Sequence, residues 1–348
     1  MAVFFGIATL LCLSSMRLCL SKDGNTEYLS LPHTQTVKGI FIILVFFNHF
    51  HSYTTYTSAF DLAFQNVIIW FGQAMVAMFL LYSGYGVMES IRKKGQGYVD
   101  GMPKKRILST LFRFDCAVLL YALLKLWRGE SIAPGQFLLS LVGWVSLGNS
   151  NWYIFVILML YLITYGAFKL CRQHNHGVLA VFLGTCAGML CMAVFGKKQI
   201  WWYDTALCYV LGMLYSMCRK RIEEIMLGRN LVYILTLLLA FGMCQVLVDY
   251  CYTPAGGILR NLVFAVLVVA LTMRVSVQSK VLKWCGIHLF PLYILQRIPM
   301  ILLKELGVAN FSIPLYFLLS AAGTVLLTFP FEFLTDALWE KLQKKSKT

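Results

Sequence analysis

The residues of this chain that could carry out chemistry are a lysine and a histidine at the two ends of one apolar run. Lys38 directly precedes residues 39–47, and His49 follows them after the polar Asn48. Eleven helical steps separate the two, about 16 Å along the axis and about 20° beyond three full turns, so both side chains share a helix face. An ammonium at a membrane surface can bind an anion, and an imidazole near mid-membrane can take a proton from a hydroxyl. The spacing predicts an anion site and a general base facing one crevice, although a buried histidine bonded to a neighbouring helix is the structural alternative.

A strongly basic stretch between residues 89 and 113 could bind phosphate groups. Its seven basic residues are Arg92, Lys93, Lys94, Lys104, Lys105, Arg106 and Arg113. Helix-breaking residues lie among them and predict a loop; they are Gly95, Gly97, Gly101 and Pro103. A basic loop beside a span also fixes topology and contacts anionic lipid. Because the two roles are compatible, the stretch is also a candidate clamp for a nucleotide-bearing donor.

Two aromatic clusters open spans on the opposite side of the membrane. Residues 149–153 include Trp152, and residues 201–204 include Trp202. An interfacial aromatic belt accounts for both clusters. The functional alternative is a sugar ring stacked on an exposed indole.

Small and polar residues interrupt two further apolar runs. Residues 78–86 contain Ser83, Gly84 and Gly86. Small residues permit close helix approach, so packing is the predicted role of both glycines. Gln296 and the arginine that follows it lie inside a late apolar run, where a polar group needs a partner or a wet cavity.

The elements that hold these residues must be membrane helices. The chain has 348 residues, of which 59% are hydrophobic and 13% charged, and its mean hydropathy is +0.72. Its long continuous apolar runs exclude a soluble domain and a β-barrel. The net charge of +15 reflects basic loops on one membrane face rather than nucleic-acid binding. Eleven cysteines without a C-x-x-C pair act as small hydrophobic residues.

The apolar runs predict an all-α, polytopic transmembrane helical bundle of eleven spans. The spans are predicted at about 3–20, 39–55, 67–88, 114–127, 151–170, 178–196, 203–218, 231–249, 258–274, 287–304 and 312–334. The run 137–148 is too short to cross and is predicted at an interface or in a re-entrant segment.

Basic residues predict the orientation and the domain limits. If the C-terminus is cytoplasmic, 23 of the 30 Lys and Arg residues lie on the inner face, which places the N-terminus outside for an odd span count. The predicted domains are an additional N-terminal helix with its linker (1–37), a membrane domain (38–334) and a basic cytoplasmic tail (335–348).

In their order along the chain, these motifs resemble those of the acyltransferase family 3 membrane enzymes, which O-acylate surface polysaccharides, lipids and antibiotics. The pair Lys38 and His49 looks like the family's basic-residue-to-histidine signature, and Ser83 with the glycine after it matches a conserved Ser-Gly. Weaker similarities follow at 104–108, 152–161, 202–213 and 287–299. The resemblance covers residues 38–334, so the first helix is additional to a ten-helix core.

Two positions depart from the family pattern. Ser109 stands where the second of two paired arginines would be, and Arg113 is the nearest substitute. Gln296 stands where many members have histidine, so no second catalytic histidine is predicted there.

The resemblance implies an acyl-CoA co-substrate, acetyl-CoA above all, that enters from the cytoplasm, and an acceptor hydroxyl on a cell-surface or lipid-linked carbohydrate. His49 would be the general base for direct attack on the thioester, and Lys38, Arg106 and Arg113 would bind the donor. The pocket would be lined by Asn48, Ser83, Trp152, Trp202 and Gln296. No metal, bound cofactor or nucleic acid is expected, and the enzyme would lie in a bacterial cell membrane among lipid.

Two other functions remain open from the residues alone. A transporter or flippase of a lipid-linked sugar could use the same histidine and aromatic residues, although no internal repeat is visible. A membrane acyltransferase of another fold could use a late histidine, for which His288 is the candidate.

Overall fold

A computed structural model describes residues 1–56 and 58–345, and helices dominate it. The helices are α1 (Ala2–Ser14), α2 (Leu31–His51), α3 (Ala59–Phe71), α4 (Ala74–Lys94), α5 (Gln96–Met102), α6 (Ser109–Trp127), α7 (Pro134–Leu141), α8 (Trp152–Leu170), α9 (His174–Val194), α10 (Leu207–Gly228), α11 (Asn230–Leu247), α12 (Pro254–Thr272), α13 (Lys280–Ile287), α14 (Leu289–Leu295), α15 (Arg297–Glu305), α16 (Val308–Phe311) and α17 (Ile313–Lys345). Strands β1 (Met16–Leu18) and β2 (Val275–Val277) form one two-stranded antiparallel sheet.

Several helices are long and apolar enough to cross a membrane. Within the described residues seven stretches qualify: Ala59–Lys94, Gln96–Trp127, Trp152–Leu170, His174–Val194, Asn230–Leu247, Pro254–Thr272 and Ile313–Lys344. The pair α13 and α14–α15, bent by 72°, would make an eighth. These helices confirm an all-α polytopic bundle. The count of eleven stays a prediction, because α1 is short and α2 and α10 carry polar or charged residues.

The first predicted span is shorter than expected. Helix α1 ends at Ser14, and the next residues form β1, in which Arg17 pairs with Ser276 of β2. The hydroxyl of Ser15 donates to the carbonyl of Leu11 at 2.6 Å, within the last turn. The prediction of helix through residue 20 was therefore wrong, because a distant strand supplies the hydrogen bonds that the helix would have made.

Helix α2, which carries Lys38 and His49, is held tightly at one end. The side chain of Ser30 caps it by accepting from the backbone N–H of His33. Farther along, a Cβ on Gly39 would overlap the carbonyl of Leu282 in α13. The two helices are thus in backbone contact, which fixes the face that α2 turns toward the interior.

Helices α4 and α10 cross in the same way. A Cβ on Gly84 would overlap the carbonyl of Tyr209, and one on Gly212 would overlap the carbonyl of Leu81. The packing role predicted for Gly84 is confirmed. The same prediction for Gly86 was wrong, because no described atom lies within 4 Å of its Cβ position and Gly86 lines a cavity.

The basic stretch between residues 89 and 113 is helical rather than a loop. Only Gly95, with φ +55°, interrupts it. Helix α5 is followed by a π-helical segment, Pro103–Leu108, and then directly by α6. Pro103 is tolerated because it stands at the first position of its segment. The predicted tail begins inside α17, and residues 346–348 lie outside the described residues.

Candidate active site

A cavity of about 730 Å³ lies between α2, α4, α8 and the π-helical segment. Its lining residues are Thr26, Glu27, Leu29, Ser30, Leu31, Thr34, Lys38, Phe79, Tyr82, Ser83, Tyr85, Gly86, Glu89, Lys93, Arg106, Tyr153, Tyr161, Arg219 and Leu289. Residues 26–31 and the end of α4 form its rim, on the side predicted to be cytoplasmic. The cavity therefore brings together Lys38, Ser83 and Arg106, three of the residues predicted from the sequence.

The cavity has an excess of positive charge. Among its described lining residues, four cationic side chains face two carboxylates. Glu89 is already occupied, because it lies 3.5 Å from Lys93 and accepts a 2.7 Å hydrogen bond from Ser216. Arg219 pairs with Glu223 at 2.7 Å. Lys93 and Arg219 therefore have carboxylate partners, and the other two cations of the lining are left to act on a ligand.

Lys38 and Arg106 are these two unpaired cations. In the described part of the chain neither has an ion-pair partner, and Arg106 makes only a 3.2 Å hydrogen bond from Nε to the hydroxyl of Tyr98. Two like charges that line one cavity and have no carboxylate paired with them favour an anion, which would relieve their repulsion. The arrangement suits phosphate groups.

The hydroxyl groups of Ser83 and Tyr161 meet at the wall of the cavity, and two further hydroxyl-bearing residues that do not line it adjoin Tyr161. Ser83 Oγ lies 2.9 Å from the hydroxyl of Tyr161, whose ring meets Tyr209 edge to face at 6.2 Å. The Tyr209 hydroxyl lies 3.1 Å from Thr164 Oγ1. Ser83 is therefore oriented by a neighbour, with polar atoms turned toward the cavity.

His49 lies near the end of α2, the helix that also carries Lys38, and its side chain contacts the segment just before α8. Its Nε2 is 3.4 Å from Ser150 Oγ, and its Nδ1 has no hydrogen-bond partner among the described residues. The side chain is half-buried. An imidazole with one nitrogen oriented by a hydroxyl and the other unoccupied can accept a proton from a third group.

Two tyrosines separate His49 from the cavity. The ring of Tyr293 lies 6.1 Å from the His49 ring and 5.3 Å from that of Tyr153, and Tyr153 lines the cavity. His49 itself does not line it. We call Tyr153 and Tyr293 the tyrosine partition, because a donor that occupies the cavity must reach past them to meet His49.

The other predicted pocket residues take different positions. Asn48 is half-buried beside His49, and Trp152 packs edge to face on Tyr153 at 6.2 Å. Gln296 is fully buried and does not line the cavity; its Nε2 donates to the Tyr293 carbonyl at 3.0 Å.

Trp202 and Arg113 lie away from the cavity. Trp202 packs with Trp144 at 6.0 Å, and the Lys198 ammonium lies 4.0 Å from both rings. Arg113 forms a 2.7 Å ion pair with Asp336 of α17. The late histidine of the alternative hypothesis, His288, pairs with Glu332 at 2.6 Å.

Two polar contacts near the end of α2 have no signal in the sequence. One is the contact between Ser150 and His49, and the other joins Tyr53 to Arg297. The Arg297 Nε donates to the Tyr53 hydroxyl at 2.9 Å, which supplies the partner that an intramembrane arginine needs. No local pattern connects Tyr53 with Arg297, since 244 residues separate them.

Comparison with known proteins identifies one family. The acyltransferase domain of acyltransferase family 3 matches residues 35–333, which include Lys38, His49, Ser83 and Arg106. No curated protein and no solved structure matches the chain.

Proposed function

Because the chain belongs to acyltransferase family 3, we propose that it transfers an acyl group, specifically acetyl, from a cytoplasmic acyl-CoA to a hydroxyl of a cell-surface or lipid-linked carbohydrate. Because the family consists of acyltransferases, the chain is an acyltransferase, and the alternative hypothesis of a transporter is no longer needed. The proposal of an acyl-CoA donor is supported by the cavity, in which the cations Lys38 and Arg106 have no carboxylate partners. We expect the enzyme in a cell membrane, with the cavity open to the cytoplasm.

The donor would bind with its charged nucleotide end beside the two unpaired cations of the cavity. Lys38 and Arg106 would contact phosphate oxygens of the nucleotide, and the pantetheine arm would follow the wall past Ser83. Charge-assisted hydrogen bonds to phosphate are stronger than neutral ones, so these two cations would supply much of the donor affinity. The thioester would then meet the tyrosine partition and, beyond it, His49.

The reaction we propose is direct. His49 Nδ1 accepts the proton of the acceptor hydroxyl as its oxygen attacks the thioester carbonyl. The new C–O bond forms, the C–S bond breaks, and the coenzyme A thiolate leaves and takes up a proton. The hydrogen bond to Ser150 would hold the imidazole during this transfer.

Acyl transfer can be tested with the purified protein. It is incubated in detergent or nanodiscs with acetyl-CoA, and free thiol release is followed with and without a panel of candidate glycans. We expect release that rises when a suitable acceptor is present, and acetyl transfer to that glycan by mass spectrometry. Thiol release unaffected by every glycan, with no acetylated product, would contradict the proposed acceptor class.

A further inference from the structure

A second polar cavity lies apart from the acyl-transfer site. It has a volume of about 470 Å³ and is formed by the end of α3, the segment before α10 and the α11–α12 connection. Its lining residues are Ile69, Gly72, Gln73, Gln199, Ile200, Trp201, Asp204, Cys251, Tyr252, Gly257, Arg260 and Asn261. The segments 197–206 and 248–257 belong to the face that the basic-residue distribution predicts to be outside. None of these residues lines the donor cavity.

The base of this outer cavity holds three buried polar side chains. Asp204, Arg260 and Asn261 are 4%, 3% and 1% exposed. Each retains an atom without a partner among the described residues: Asp204 Oδ1, Arg260 Nε and Asn261 Oδ1. Burying such groups without partners is costly, and the cost is recovered when a ligand satisfies them.

The rest of the Arg260 guanidinium is fixed in place. It donates to the backbone carbonyl of Trp70 and lies 5.4 Å from the Trp70 ring. Both Arg260 and Asp204 line the cavity, and no ion pair joins them in the described residues. The site therefore offers one fixed donor and two acceptors.

The mouth of the cavity is aromatic. Trp201 and Tyr252 are 46% and 76% exposed and lie on the two segments that border the opening. Exposed aromatic rings above buried polar groups match the two faces of a sugar, whose C–H groups pack on rings and whose hydroxyl groups form hydrogen bonds.

The polar groups of the cavity also restrict the charge that a bound ligand can have. A phosphate would be repelled by Asp204 and an ammonium by Arg260. One hydroxyl group can donate to Asp204 and accept from Arg260, and a second can donate to Asn261, so two hydroxyl groups of one ring satisfy all three atoms. A neutral polyhydroxylated ring is the ligand class that fits.

We propose that the outer cavity is a binding site for a neutral carbohydrate and holds a sugar of the acceptor at a distance from the reacting hydroxyl. The second part rests on the proposed function, whereas sugar binding itself does not. The contacts predict specificity for the acceptor rather than any role in bond making.

The test measures binding without acyl-CoA, so it is independent of turnover. Saturation-transfer NMR is recorded on the full-length protein with neutral disaccharides of glucose, galactose, mannose and N-acetylglucosamine. We expect saturable binding of at least one disaccharide. Trp201→Ala and Tyr252→Ala, which alter exposed side chains, should each weaken it about tenfold.

Trp127→Ala is the matched control, because Trp127 is also an exposed tryptophan but lies outside the cavity. It should bind as the wild type does. Absence of binding by every disaccharide, or binding that Trp201→Ala leaves unchanged, would overturn the proposal. Saturable binding of inorganic phosphate or choline that these variants abolish would assign the cavity to a charged ligand and overturn it as well.

Discussion

At the scale of single residues, the donor site depends on charges that have no protein partner. Arg219 and Lys93 have acidic neighbours at the rim, whereas Lys38 and Arg106 have none. Their positive charge is therefore available to a ligand.

We expect Lys38→Ala and Arg106→Ala to raise the KM for acetyl-CoA with little change in kcat. A hydrogen bond to a charged group contributes about 1.5–3 kcal/mol, which corresponds to roughly tenfold or more in KM. Initial rates at varied acetyl-CoA and fixed acceptor measure the effect. A selective change in the KM for the acceptor would reverse the assignment.

Lys105→Ala is the control, since Lys105 adjoins Arg106 but does not line the cavity. It should leave the KM for acetyl-CoA unchanged.

Arg113→Ala tests whether Arg113, the third basic residue predicted to bind the donor, does so. Its ion pair with Asp336 predicts an unchanged KM, and a rise as large as that of Arg106→Ala would place it in the donor site instead.

Three residues assigned to the site from the sequence, Lys38, Ser83 and Arg106, line one cavity. His49, which was expected to face the same crevice as Lys38, does not line it, and the roles of all four stay predictions. The tyrosine partition could not be predicted, because the rings of Tyr153 and Tyr293 meet at 5.3 Å although the two residues are far apart in the sequence. Neither lies in a pattern that distinguishes a partition from an interfacial belt.

At the scale of elements, close helix crossings position the catalytic face. The glycines of α4 show this most clearly, because two positions two residues apart have opposite surroundings. Gly84 lies against the backbone of α10, and Gly86 faces open space.

Gly84→Ala should destabilise the protein, since its methyl group would overlap the Tyr209 carbonyl and force the helices apart. Overpacking of this kind costs about 1–3 kcal/mol. Gly86→Ala should keep or raise stability, because alanine favours a helix by about 1 kcal/mol over glycine. Thermal unfolding in detergent measures both. A lower unfolding midpoint for Gly86→Ala than for Gly84→Ala would contradict the described crossing.

The helix limits show what local patterns miss. Gly97, Gly101 and Pro103 predicted a loop, yet a π-helical segment continues there and carries Arg106 into the cavity. Helix propensity is a weak preference, and packing against α8 overrides it. The sheet formed by β1 and β2 likewise joins segments more than 250 residues apart, which no local pattern reveals.

At the scale of the whole molecule, the all-α membrane architecture followed directly from the apolar runs. The number of spans did not, because α2 and α10 combine apolar and charged residues. In a bundle that encloses a polar cavity, helices facing that cavity need not be apolar throughout. Seven described stretches are long and apolar enough to cross, and the count of eleven stays a prediction.

The orientation is open to a direct test. We expect a fluorescent protein fused to the C-terminus to fluoresce, as it does only in the cytoplasm, and alkaline phosphatase fused to the N-terminus to be active, as it is only outside. The excess of basic residues on one face is the reason for this orientation. An inactive N-terminal fusion, with the protein inserted and the C-terminal fusion fluorescent, would mean an even number of spans.

The central claim is that His49 takes the proton from the acceptor hydroxyl. The most direct measurement compares acceptor-dependent thiol release from acetyl-CoA by wild type, His49→Ala and His176→Ala, the last changing an exposed histidine at the start of α9. Loss of a general base should lower kcat at least about 100-fold in His49→Ala, with acetyl-CoA binding and the unfolding temperature preserved, while His176→Ala keeps the wild-type rate. A folded His49→Ala protein that turns over as fast as the wild type would contradict the account.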